Sequence, residues 1–245
     1  MNTTVQILIV GATTIIMLLV IMAAARRRQS FWWVSFALIA ASGASLALGA
    51  YFAVRSFMST IEEMAKTGGG IASVRFGIWQ ATQPALAAAW IALVIALLAS
   101  VVVLPRARKE LAFPAGAPRP RFALFASLAG LALAAGVTSM FLFRRAIAFV
   151  LWAIVPRARV DSISEAIATR LSVTATASAA CFVVLVLLTM FIVLLARKSS
   201  PSRLFTITLF ALVVSLGLSA ALVTDLRSFS DLHHRGAISG GVPLK

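Results

Sequence analysis

Six stretches of this chain, at about 4–25, 31–54, 84–104, 122–143, 174–196 and 204–224, carry no Asp, Glu, Lys or Arg in their central parts. A helix needs about 20 mostly apolar residues to cross roughly 30 Å of hydrocarbon, and in lipid its backbone groups must be satisfied within the segment. Six such stretches in 245 residues leave little chain for anything but an all-α, polytopic integral membrane protein. Composition agrees, with 61% hydrophobic and 12% charged residues, where a soluble domain has roughly 25% charged. The expected location is the cell (inner) membrane, with multiple passes through the bilayer.

The first stretch is not a secretory signal. A signal carries its positive charge before the apolar run, whereas here MNTTVQ has no basic side chain and Arg26, Arg27 and Arg28 follow it. The loops at 26–30, 105–121 and 197–203 pack 11 Lys and Arg into 29 positions, and the other 11 are spread more thinly over the opposite side. Short basic loops stay cytoplasmic, so the reading is N-out/C-out. The six spans then form three helical hairpins. The organisation expected is a first transmembrane hairpin at 1–57, an outer loop with a short helix at 58–81, and a second hairpin at 82–145. An outer loop with an interfacial helix follows at 146–173, then a third hairpin at 174–229 and a C-terminal tail at 230–245. The short helix is expected from Ser59-Thr60-Ile61-Glu62-Glu63, two overlapping capping boxes. The interfacial helix is expected from AIAFVLWAIV, whose ten apolar residues are too few to span.

The net charge of +15 is distributed over loops on both sides of the spans. It offers no compact basic domain for nucleic acid and suits orientation and attraction to lipid headgroups instead. Internal repetition is visible in Arg55-Ser56-Phe57, Arg144-Arg145 and Arg227-Ser228-Phe229, each closing the second span of a hairpin. Ala88, Ala92, Ala96 and Ser100 form one ridge of small residues, and Ala126, Gly130 and Ala134 another. Small residues at every fourth position let helices approach closely, as in a compact bundle or oligomer.

The segment DSISEAIATRLSVTATASAACF, at 161–182, enters the membrane carrying hydroxyls. Ser162 and Glu165 fit a capping box. Ser162, Glu165, Thr169, Ser172 and Thr176 follow at steps of three and four residues, which places them on one helix face. That polar stripe faces either neighbouring helices, as packing, or water, as a channel. The run Ser162-Ile163-Ser164-Glu165-Ala166-Ile167 resembles the GI-x-EAL segment that opens the last transmembrane helix in the MotA/TolQ/ExbB proton-channel superfamily. Gly77-Ile78-Trp79-Gln80-Ala81 is a second, weaker copy. The resemblance implies a channel-facing stripe and an oligomer around a single-span partner that supplies an intramembrane Asp. The chain departs from the family pattern at Arg170, where a Thr is usual, and lacks the family's large cytoplasmic domain.

His233 and His234 are adjacent, diverge on a helix, and are expected in an exposed tail and not as joint metal ligands. Cys181 is alone, so neither a disulfide framework nor a metal cluster is expected. Catalytic and nucleotide-binding motifs are missing, and neither an enzyme nor a cofactor is expected. The leading functional expectation is a proton-channel or force-transducing membrane subunit acting in an oligomer with other membrane subunits. A structural or assembly subunit of a larger membrane complex is the alternative. A small transporter is third.

Overall fold

A computed structural model describes residues 3–28, 32–67, 71–103, 105, 119–154 and 201–239. The described residues are helical throughout. They form α1 (Thr3–Arg28), α2 (Trp32–Thr67), α3 (Ile71–Leu98), a π-helical turn at Ala99–Val103, α4 (Arg119–Ile154) and α5 (Pro201–Ser239). All five α-helices are long and apolar enough to cross a membrane, over Thr3–Ala24, Trp33–Thr60, Ser73–Val101, Leu124–Ile147 and Phe205–Arg235. The sixth expected span, 174–196, and the stripe from Ser162 to Thr176 lie outside the described residues.

Side-chain contacts fix the directions of α2, α3, α4 and α5. Thr60 meets Gly77 and Gly49 meets Ala88, so α2 and α3 are antiparallel. Trp33 meets Phe125 and Gly43 meets Ala132, so α2 and α4 run parallel. Gln83 meets Ser230 and Trp79 meets His234, so α3 and α5 are antiparallel. It follows that α4 and α5 are parallel to each other. The helices pack in the order α4, α2, α3, α5, with α1 against both α2 and α3. Within its membrane window α2 is 61% buried and α1 only 11%, which makes α2 the centre and α1 the periphery.

The centre is held by backbone contact. Lipid is as apolar as a leucine side chain, so helices in a bilayer associate through close packing and not through exclusion of water. On the face of α2 toward α4, a Cβ added to Gly43 would collide with the main-chain carbonyl of Ala132, and one added to Gly136 would collide with that of Gly43. On the face toward α3, a Cβ at Gly49 would meet Ala88 and the carbonyl of Pro84. Phe36, Leu46, Met140 and Phe143 fill the space above and below these crossings and are fully buried. Ala88, Ala92 and Ala96 of the first expected ridge are buried, and Ser100 is half-buried. On α4, Ala126 and Ala134 are buried and Gly130 is half-buried, while the tightest approach falls at Ala132 and Gly136.

Three sequence expectations change. Residues 58–67 and 71–81 continue α2 and α3, so the outer loop with a separate helix at 58–81 is replaced by extensions of the spans. The Ser59 and Thr60 hydroxyls donate backward to the Ser56 carbonyl, at 2.8 and 3.0 Å, as mid-helix residues do. AIAFVLWAIV is not a separate interfacial helix, because α4 runs without a break through Ile154. The tail at 230–245 is helical through Ser239, as the last three turns of α5.

Pro84 sits inside α3, where its ring removes the N–H that would bond the carbonyl one turn back. Thr82 donates to Ile78 O at 2.7 Å and Gln83 to Trp79 O at 3.2 Å, adding side-chain bonds to the turn before it. Substituting Gly43→Val or Gly136→Val is expected to lower the thermal midpoint in detergent sharply, because overpacking costs about 1–3 kcal/mol even where side chains can yield, and here the obstacle is main chain. Gly217→Ala, where nothing lies within 4 Å of the new Cβ, is expected to hold or raise it. Equal effects at the three positions would contradict the packing.

Candidate functional site: a polar and aromatic cluster at one end of the bundle

The charged residues of the described spans collect at one end. Arg55 lies near the end of α2, Arg75 at the start of α3, Arg144 and Arg145 toward the end of α4, and Asp225, Arg227, Asp231 and Arg235 toward the end of α5. The helix directions bring all of them to the same end of the bundle.

Rows with four-residue spacing meet there, with Ser230 and His234 of α5 against α3 and Asp225 and Phe229 of α5 against Arg144 of α4. Arg75, Trp79 and Gln83 share one face of α3, and Asp225, Phe229 and His233 share one face of α5. Gln83 donates from Nε2 to Ser230 Oγ at 3.0 Å, joining α3 to α5. The Trp79 and His234 rings lie 5.0 Å apart, and Phe229 meets His233 edge-on at 4.4 Å. Arg144 reaches across from α4. Its Nε and Nη2 donate to the two carboxylate oxygens of Asp225, each at 2.8 Å, and its Cζ stands 3.9 Å from the centre of the Phe229 ring.

Geometry and exposure pull in opposite directions at this pair. A two-pronged guanidinium–carboxylate contact is the best-oriented ion pair a protein makes. The side chains are 31% and 48% exposed, where such pairs contribute about 0.2–1 kcal/mol, and an exposed cation over a ring contributes about 0.5–1 kcal/mol. Exposure wins, so the bond is specific in shape and small in energy.

His233 is the residue that sequence reasoning misplaced. It is 6% exposed, not part of an exposed tail, because α5 continues past Asp225 through Ser239. Its Nε2 is buried without a hydrogen-bond partner, and Arg75 and Arg144 both act on it electrostatically. The signal that could have found it is its helical spacing from Leu226 and Ser230, both buried, which matters more than adjacency to His234. His234 is exposed. Among the described residues no three His, Cys, Asp or Glu side chains gather as a metal site would require.

Several hydroxyls are used within their own helices, whereas those of Ser35, Thr138, Ser215 and Ser219 are buried without a hydrogen-bond partner. Ser42, Ser45, Ser100, Ser139 and Thr224 donate to carbonyls of their own helices at 2.7 to 2.9 Å. Thr14 Oγ1 also meets Ser45 Oγ at 2.8 Å, tying α1 to α2. Comparison with protein-family models, curated proteins and solved structures finds no match to this chain.

Replacing His233 with Leu is expected to raise the thermal midpoint, since a buried polar atom without a partner costs about 1–3 kcal/mol. A fall in the midpoint would mean that Nε2 is bonded in the membrane. For Arg144→Gln and Asp225→Asn, a double-mutant cycle read by unfolding in mixed micelles is expected to give a coupling of about 0.5–1 kcal/mol. A coupling of zero would remove the pair from the account.

Proposed function

We propose that the chain is a non-enzymatic, six-span subunit of an oligomeric complex in the inner membrane, oriented N-out/C-out, whose bundle serves assembly. The observation that carries this reading is how the described helices use their small and polar residues. Gly43, Gly49 and Gly136 bring main chains together, and the hydroxyls of Ser42, Ser45, Thr82 and Ser100 are taken up by carbonyls of their own helices, with Thr14 also meeting Ser45. Such residues serve helix packing. Leu8, Ile15, Ile16, Leu19 and Val20 of α1 are exposed, an apolar face suited to lipid or to a neighbouring subunit.

Six spans are supported by the parallel run of α4 and α5. The chain leaves α4 at one end of the bundle and enters α5 at the other, so an odd number of crossings belongs between them. The apolar run at 174–196 supplies one. α5 ends on the side where α2 ends and α3 begins, as expected for N-out/C-out with the basic loops at 26–30, 105–121 and 197–203 inside.

Proton conduction with an acid-bearing single-span partner is the second reading. It is favoured by the resemblance of Ser162–Ile167 to the channel-superfamily segment and by the stripe of Glu165, Thr169, Ser172 and Thr176. Its weaker copy begins at Gly77, whose position against Thr60 gives that glycine a packing use.

Purification of the tagged chain in native lipid particles is expected to yield a complex with other membrane subunits at fixed stoichiometry. A lone protomer would sink both readings. Changing Thr169, Ser172 and Thr176 together to Ala separates them: loss of the complex favours assembly, whereas an intact complex that no longer carries proton flux favours conduction.

A further inference from the structure

The path of the chain into α5 places a neighbour beside that helix. Only the four residues 197–200 separate the apolar run at 174–196 from the start of α5 at Pro201. Fully extended, such a connection reaches about 17 Å, and packed helices stand about 8–10 Å apart. A helix ending at 196 is therefore an immediate neighbour of α5, and connections this short join antiparallel pairs. The 19 residues at 155–173, which lead from α4 to the run, impose no such limit.

One side of α5 is open to receive it. Leu212, Ser215, Ser219, Leu226 and Ser230 are buried along one face, where Ser230 accepts the bond from Gln83 of α3. On the opposite face Phe210, Val213, Gly217, Ala221, Thr224 and Ser228 follow at steps of three and four, and all six are exposed. The middle of that face suits close approach. A Cβ at Gly217 would meet nothing within 4 Å, Ala221 follows one turn on, and the Thr224 hydroxyl already donates to the Ala221 carbonyl at 2.9 Å. Gly11 of α1 is equally open, but the bulky Ile7 and Ile15 stand one turn to either side of it. Small residues four apart are what membrane helices present to one another.

We propose that the run at 174–196 docks antiparallel on the Gly217–Ala221 face of α5, an inference that rests on the six-span reading. Levelling residue 196 with Pro201 sets Ala180 opposite Gly217 and Thr176 opposite Ala221. The whole of TATASAAC, at 174–181, is small, so the ridge on α5 meets a partner without bulk. Nearer the turn, Val213 and Phe210 meet Val184 and Leu187, large against large. Thr176, the last member of the polar stripe, then serves helix packing.

Disulfide trapping of the full chain in native membranes tests this, with Cys181→Ser to remove the native thiol. Ala221→Cys is paired with a second cysteine at each position from 173 to 180 in turn, and copper phenanthroline drives the oxidation. Trypsin, admitted by permeabilisation, cuts after Arg197 and Lys198, so a bond within one chain holds the two fragments together until reductant is added. A bond between chains doubles the mass before digestion. Trapping within the chain is expected to be strongest at 176, weaker at 173 and 180, and slight at 174 and 178, which lie on the far side of the helix. Gly217→Ala is expected to keep the trapping at 176, since alanine leaves the ridge small, and Gly217→Leu to abolish it. Trapping without that periodicity overturns the docking. Trapping only between chains, which would put a second copy on the face, overturns it too, as does no trapping at any position, which would leave the face to lipid. Maleimide labelling of positions 157 and 199 from one side of the membrane removes the six-span reading and the docking with it, whereas labelling from opposite sides without trapping removes the docking alone.

Discussion

Main chain meets main chain where Gly43 of α2 crosses Ala132 and Gly136 of α4, and the other helix placements depend on that contact. In a bilayer no hydrophobic drive brings apolar helices together, so proximity must come from shape, and only residues without bulk allow it. α2 does this on two faces, against α4 through Gly43 and against α3 through Gly49. It is consequently the most buried of the five helices, and α1, which lacks such a crossing, is the least. Large side chains then have defined gaps to fill. Phe36, Leu46, Met140 and Phe143 are buried because the glycines set the spacing.

The same spacing explains the cluster at the Arg144 end. With α4 fixed on α2 and α5 laid on α3, the ends of α4 and α5 come within reach of a long side chain without touching along their length. Arginine spans that distance and presents a fork that a carboxylate matches. Phe229 below it and His233 beyond it extend the contact along α5. Small-residue packing in the middle and a charged contact at the end are thus two consequences of one arrangement.

How much of this was written in the sequence depends on the type of signal. Charge-free apolar runs gave the described spans because length and polarity alone decide membrane crossing. The ends were misjudged where charges appear: Ser59 through Glu63 resembles a helix start, but the helix is already formed and the hydroxyls bond backward. Small-residue ridges could be seen, yet which glycine touches which neighbour depends on rotation and register between helices, and the closest contact lies at Ala132 and Gly136 instead of Gly130. His233 was lost for a related reason, since its burial depends on how α5 is rotated against its neighbours. The polar stripe from Ser162 to Thr176 is a periodic pattern on the sequence and lies outside the described residues.

The central claim is that α4 and α5 run parallel within a multi-pass bundle, so that the chain between them changes sides of the membrane. Single cysteines at Arg157 and Ser199, in a chain with Cys181→Ser, can be probed with a membrane-impermeant maleimide in sealed vesicles of known orientation. Labelling of the two positions from opposite faces is the predicted result, with position 157 outside and position 199 inside. Labelling of both from one face would contradict the arrangement of α4 and α5.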